Sequence, residues 1–129
     1  MTYQLRHSEP LEDIEGVLLN LDGTIFVGDR LVPGAADAVD ALRRAGLPLR
    51  FGTNTTRMSR TALVSRLQTM GLELEPGEVF TAPLSAAAWL EKKGIWNLSL
   101  CVPEAAHADL GHFKVNEISP QAVVIGDLG

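Results

Sequence analysis

Short apolar runs alternate along the chain with longer segments of helical period. Val17-Leu21, Leu47-Phe51, Leu98-Val102 and Ala122-Ile125 are the runs, each close to a turn residue. Runs of this length read as strands buried on both faces of a parallel sheet. A fifth, very short strand is expected at Glu78-Phe80. Between the strands, Ala35, Ala38, Val39, Leu42 and Ala45 recur at spacings of three and four, which gathers them on one helical face. Gly46 stands where such a helix stops in the left-handed conformation. Ser59 is a good N-cap for a second helix with the stripe Leu63, Leu67 and Met70, closed by Gly71. A third helix is expected from Pro83 to Lys93, with Gly94 as its stop, and a short fourth from Pro103 to Leu110 before Gly111. Strands and helices alternating in this way predict an open, doubly wound α/β fold with a parallel sheet and right-handed crossovers. Residues 1–15 lack periodicity and are expected to form an N-terminal arm, with residues 16–129 as one core unit.

Composition narrows the function. With 129 residues the chain has room for one sizeable core. Sixteen acidic against eleven basic residues leave a net charge of −5, and no basic stripe of the kind nucleic acid requires is visible. A hydrophobic content of 46% argues against disorder. No apolar stretch is long enough to span a membrane. The segment Met1-Glu15 carries Arg6, His7, Glu9, Glu12, Asp13 and Glu15, the wrong chemistry for a signal peptide. A single cysteine, Cys101, excludes an internal disulfide and fits a reducing cytoplasm. These features lead to the expectation of a cytoplasmic protein without nucleic-acid or membrane partners.

In doubly wound sheets ligands bind beyond the carboxyl ends of the strands. The first strand ends in Leu18-Leu19-Asn20-Leu21-Asp22-Gly23-Thr24. Residues 20 and 22 leave a strand on the same side, and Gly23 permits a tight turn after them. Taken alone, Asp22-Gly23 is equally well an ordinary turn. The second strand runs into Thr53-Asn54-Thr55-Thr56, a cluster of small hydrogen-bonding residues ahead of a helix. Hydroxyls, an amide and free backbone N–H groups at that place suit an anion such as phosphate, or cap the loop for local reasons.

Together, Leu18-Leu19-Asn20-Leu21-Asp22-Gly23-Thr24 and Arg50-Phe51-Gly52-Thr53-Asn54-Thr55-Thr56 resemble the first two motifs of the haloacid dehalogenase (HAD) superfamily. Val32-Pro33-Gly34-Ala35 and Glu78-Val79-Phe80-Thr81-Ala82 extend the likeness to its 4-nitrophenylphosphatase branch, whose cap is inserted after the second motif. The resemblance spans roughly residues 16–127. It implies a Mg²⁺-dependent phosphomonoester hydrolase acting on a small phosphorylated substrate. The first aspartate of the family motif attacks phosphorus to form an aspartyl-phosphate, and the second, here Asp22, serves as general acid and base. Mg²⁺ would be held by the side chain at position 20, the backbone carbonyl of Asp22 and an acidic residue of a fourth motif. Thr53, Asn54 and Thr55 would hold the phosphate.

Two departures qualify this reading. Position 20 is Asn20, and an amide oxygen is a far poorer nucleophile than a carboxylate and brings no charge to a metal. Both a substrate-trapping substitution and a natural pseudoenzyme would place asparagine there. The family also continues into a cap of roughly a hundred residues and then returns with its third and fourth motifs. The chain therefore looks like the N-terminal half of such a phosphatase core, without activity of its own. The rival reading is a non-catalytic phosphate-binding or scaffold module. The closing Ile125-Gly126-Asp127-Leu128-Gly129 imitates the start of a fourth motif but is read as the junction to the cap. Without later strands the first strand would stand at a sheet edge, and self-association through that edge is expected.

The remaining residues receive plainer readings. His107, Asp109 and His112 do not share one helical face and read as a solvated helix end rather than a metal cluster. Cys101, inside an apolar strand, reads as an inert core thiol. Trp89 and Trp96 are expected to pack, or one of them to be exposed if the chain self-associates. Arg57 and Arg60 stand either as exposed charges at a helix start or within reach of a phosphate.

Overall fold

The computed structural model describes residues 13–129; most of the expected N-terminal arm lies outside them. The chain opens with β1 (Val17–Asn20), followed by the hairpin strands β2 (Phe26–Val27) and β3 (Arg30–Leu31), then α1 (Ala35–Arg44) and β4 (Leu49–Gly52). Next come α2 (Arg60–Thr69), a 3₁₀ turn at Pro76–Glu78, β5 (Val79–Phe80) and α3 (Ala82–Lys92). The remainder holds β6 (Asn97–Cys101), a 3₁₀ segment at Glu104–Leu110, β7 (Lys114–Val115) and β8 (Ala122–Ile125). The expected fourth α-helix is thus a 3₁₀ segment.

The local signals explain most of these boundaries. The Ser59 hydroxyl caps α2 by accepting from the Ala62 N–H at 3.3 Å, and the Thr81 hydroxyl caps α3 by accepting from the Leu84 N–H at 3.4 Å. Gly46, Gly71 and Gly94 follow the three α-helices with positive φ, as helix stops require. The hairpin of β2 and β3 went unforeseen. Its turn is Gly28-Asp29 with Gly28 at φ 58°, a two-residue loop whose glycine accepts the positive φ that such turns demand. Arg66 of α2 pins the turn by donating to the Gly28 carbonyl and to the Asp29 carboxylate, both at 2.8 Å.

The fold is α/β with parallel pairing, but beside the antiparallel β2-β3 hairpin its strands form two parallel sheets rather than one. The orders are β1-β4-β5 and β7-β6-β8, all pairs parallel. β5 is only two residues long, which leaves little backbone for a second ladder on its far side. Each sheet has its own apolar core. Leu49, Phe51 and Val79 pack with Val39 of α1 and with Leu63 and Leu67 of α2. Leu98 packs with Ala87 and Leu90 of α3 and with Ala106, Leu110 and Phe113.

The strands are not buried on both faces, contrary to the reading of their apolar runs. In β1 and β8 every second residue is exposed: Leu18 is 73% and Ile125 77% accessible. Register places Leu18 beside Arg50 and Gly52 beside Phe80, so these residues share the open face of the β1-β4-β5 sheet. A groove of about 720 Å³ runs over that face, lined by Val17, Leu18, Pro48, Arg50 and Phe80 among others. Among the described residues β1 stands at the end of its sheet and pairs with β4 alone.

Candidate functional site

The ends of β1 and β4 meet through one hydroxyl. In the parallel register Asn20 lies opposite Gly52, and the Leu21 N–H donates to the Gly52 carbonyl at 3.0 Å. The chain then turns: Gly23 has φ 77°, and the N–H groups of Thr24, Ile25 and Phe26 converge on the Leu21 carbonyl. A side chain on Gly23 would be strained at that φ, so the glycine places Asp22 beyond the strand end. Thr53 follows β4 and is buried. Its hydroxyl donates to Asp22 Oδ2 at 2.6 Å and accepts from the Thr55 N–H at 3.0 Å. Asp22, Thr53 and Thr55 are therefore one hydrogen-bonded chain. The Asn54 side chain is exposed beside it and has no protein hydrogen-bond partner among the described residues.

A cavity of about 350 Å³ opens at this point, lined by Asp22, Asn54, Thr55, Thr56, Arg57 and Asp127. Asp127, within the segment that the sequence marks as a junction to a cap, lies at the rim of the site, seventy positions after its partner. The Arg57 Nε donates to Asp127 Oδ2 at 2.8 Å, and the Asp127 N–H donates to Thr56 Oγ1 at 2.7 Å. The approach depends on Gly126, whose hypothetical Cβ would meet Thr56 at 2.8 Å and Val102 at 3.0 Å. The hydrogen bond from Arg57 holds the Asp127 carboxyl below its ordinary range, and the Gly129 N–H adds to that effect. The sequence signal was present: Gly126-Asp127 after an apolar strand mirrors Asp22-Gly23 after the first.

The other candidates separate. Arg57 joins the cavity, whereas Arg60 enters the hydrogen-bond network through its backbone N–H, which donates to the Asp109 carboxylate at 2.9 Å and 3.1 Å. Asp109 also accepts from the Thr81 hydroxyl at 2.9 Å and is buried, so it is no part of a solvated helix end. It ties the start of α2, the cap of α3 and the 3₁₀ segment together. His107 Nε2 contacts the Val102 carbonyl, and His112 pairs with Glu91. Cys101 is exposed, not a core thiol, because it lies on the open side of β6 beside Ile125. Trp89 and Trp96 are about half exposed; Trp96 packs against Phe113 with ring centres 5.6 Å apart, and the Lys93 ammonium lies 5.8 Å from the Trp89 ring centre.

The donor set does not fit Mg²⁺. Such an ion demands near-octahedral oxygen ligation, usually with one or two carboxylates. The Asn20 Nδ2 instead donates to the Asp22 carbonyl at 2.6 Å, and no group of three His, Cys, Asp or Glu suited to a metal occurs among the described residues. No described helix is long and apolar enough to cross a membrane.

Comparison with known proteins identifies the family. The family model for haloacid dehalogenase-like hydrolases matches residues 13–112. The chain is 35% identical over 113 residues to the human haloacid dehalogenase-like hydrolase domain-containing protein 2, covering 88% of this chain and 42% of that protein. It is 32% identical over 126 residues to the rat phospholysine phosphohistidine inorganic pyrophosphate phosphatase, covering 95% of this chain and 46% of the relative. The chain thus spans less than half the length of these relatives. Among solved structures, the 4-nitrophenylphosphatase from Thermotoga maritima superposes with a TM-score of 0.79 at 27% identity, over 90% of this chain and 46% of that one. A glycerol phosphate phosphatase from Mycobacterium tuberculosis, solved with magnesium, shares the fold with a TM-score of 0.79 at 24% identity, over 91% of this chain and 37% of that one.

Proposed function

Because the chain belongs to the haloacid dehalogenase-like hydrolase family, we propose that it carries the phosphate-recognising half of a phosphatase-type site and does not itself catalyse hydrolysis. The observation that carries this reading is the Thr53 hydroxyl, which joins Asp22 to the Thr55 N–H and makes one polar rim of two strand ends. Asn54 and Thr55 line the cavity as neutral donors. Arg57 is the cation at its edge, and an entering phosphate competes with Asp127 for it. Asn20 cannot form the aspartyl-phosphate, since an amide lacks the charge and basicity of the attacking carboxylate. On this reading Mg²⁺-dependent hydrolysis of a small phosphomonoester requires a carboxylate at position 20 and the later motifs of the family.

Calorimetric titration with inorganic phosphate tests the binding half. Saturable binding is expected, weakened about tenfold by Thr53→Ala, which corresponds to about 1.4 kcal/mol. An unchanged affinity in the variant, or no binding at all, rejects the site. For the catalytic half, the unaltered chain is expected to release no phosphate from 4-nitrophenyl phosphate. Asn20→Asp in a chain extended through the cap and later motifs is expected to release it with Mg²⁺.

The open edge and face of the β1-β4-β5 sheet support a second part of this proposal, namely self-association with another copy of the chain. The edge of β1, which no strand among the described residues covers, and the adjoining apolar groove offer a surface that isolated sheets bury. Sedimentation equilibrium decides it, and a stable monomer throughout the micromolar range would reject it.

A further inference from the structure

The two atoms expected to share a divalent cation in this family are the side-chain oxygen at position 20 and the backbone carbonyl of residue 22. In this chain the second of these is already engaged, by the amide nitrogen at position 20. The Asn20 Nδ2 donates to the Asp22 carbonyl oxygen at 2.6 Å. Turning the amide over would set two acceptor oxygens against each other at that distance with no proton between them, so the hydrogen-bonding chemistry selects the N–H donor.

The neighbouring carboxylates are engaged as well. Asp22 Oδ2 accepts from the Thr53 hydroxyl at 2.6 Å. Asp127 accepts from Arg57 at 2.8 Å and from the Gly129 N–H at 2.9 Å. A cation entering here would have to displace an N–H donor that points at its own ligand, and would gain no charge from position 20.

We infer that the Asn20 amide substitutes for the divalent cation as the crosslink between the end of β1 and its turn, making the site cation-independent. An aspartate at position 20 would reverse this. Its carboxylate would face the Asp22 carbonyl with two acceptors and no donor, an arrangement that a cation relieves. The inference rests on placing the site at Asn20 and Asp22, as in the proposed function, but not on phosphate binding.

The test is a Mg²⁺ titration of the protein alone, followed by calorimetry and by the side-chain amide NMR signals of Asn20. The unaltered chain is expected to show no saturable heat and no shift of those signals at millimolar Mg²⁺. Asn20→Asp is expected to bind Mg²⁺ at least about tenfold more tightly than the unaltered chain, a difference of about 1.4 kcal/mol. Saturable Mg²⁺ binding by the unaltered chain with displacement of the Asn20 signals overturns the inference. So does an Asn20→Asp variant that remains folded by circular dichroism and gains no affinity. If that variant fails to fold, the titration of the unaltered chain still decides. Inorganic phosphate is titrated separately: its failure to bind would reject the proposed function while leaving the cation result intact.

Discussion

The two faces of the β1-β4-β5 sheet share one backbone and one ladder, yet they differ in almost everything else. On one face Leu49, Phe51 and Val79 are buried beneath α1 and α2, with Val17 and Leu19 packed at the margin. On the other, Leu18 and Phe80 are more than half exposed and border an apolar groove. Pleat and register are common to both, so the difference is one of coverage. Both α1 and α2 contribute to the first core, whereas among the described helices Ser85 of α3 alone reaches the groove of the second face. An apolar strand residue is therefore not a core residue until something lies over it.

The largest expected effect separates the faces directly. Phe51→Ala should lower the unfolding free energy by about 3–5 kcal/mol, since it opens a cavity in a closed core. Leu18→Ala should cost less than about 0.5 kcal/mol, as expected for a surface position. Urea denaturation of both variants, at a concentration where the chain is monomeric, gives the comparison; equal losses would show that the open face is covered in solution.

The second test concerns the seam between the two cores. Asp109→Ala removes the acceptor for the Arg60 N–H and the Thr81 hydroxyl and leaves both donors short of a partner. A loss of about 2–3 kcal/mol is expected. An effect below about 0.5 kcal/mol, the range of ordinary surface changes, would mean that the cores hold together without it.

Leu18→Lys sharpens the contrast with little effect on folding. A charge on the open face should leave the unfolding midpoint nearly unchanged and shift sedimentation towards the monomer. A variant that associates as strongly as the unaltered chain would remove this face from the interface.

The smallest effect is the pH dependence of the Arg57–Asp127 pair. Asp127 has a lowered folded pKa, so the pair's contribution is fully present above the ordinary aspartate range. It is lost as the pH falls through the lowered value. Because the pair is exposed, its part in overall stability is small. Carboxyl NMR should give Asp127 a midpoint below that of an ordinary aspartate, returning upward in Arg57→Ala. Identical midpoints would show that the contact does not persist in solution.

How much could be read from sequence follows the range of each interaction. The helix caps at Ser59, the stops at Gly46, Gly71 and Gly94, and the turn at Asp22-Gly23 all rest on neighbours a few residues away. Their signals lie within one window of the chain. The pairing of Asp22 with Thr53 was legible only in outline, as two polar strand ends that a parallel sheet would bring together. The hydroxyl bond between them needed the register of β1 against β4. Asp109 was misread because its partners, Arg60 and Thr81, lie 49 and 28 positions away. The exposure of Cys101 was hidden for a similar reason: an apolar run does not say which of its alternate residues a helix will cover.

From its sequence alone, then, the chain declared an α/β fold, most element boundaries and the family to which it belongs. Those depend on local backbone preferences, hydrophobic period and short motifs. Only the tertiary structure decided that the parallel strands divide into two sheets and that, among the described residues, one face of the first stays open. It also brought Asp127 to the rim beside Arg57 and turned the Asn20 amide towards the Asp22 carbonyl. These outcomes depend on which distant segments pack together, and on the close approach to Thr56 that the missing Cβ of Gly126 permits.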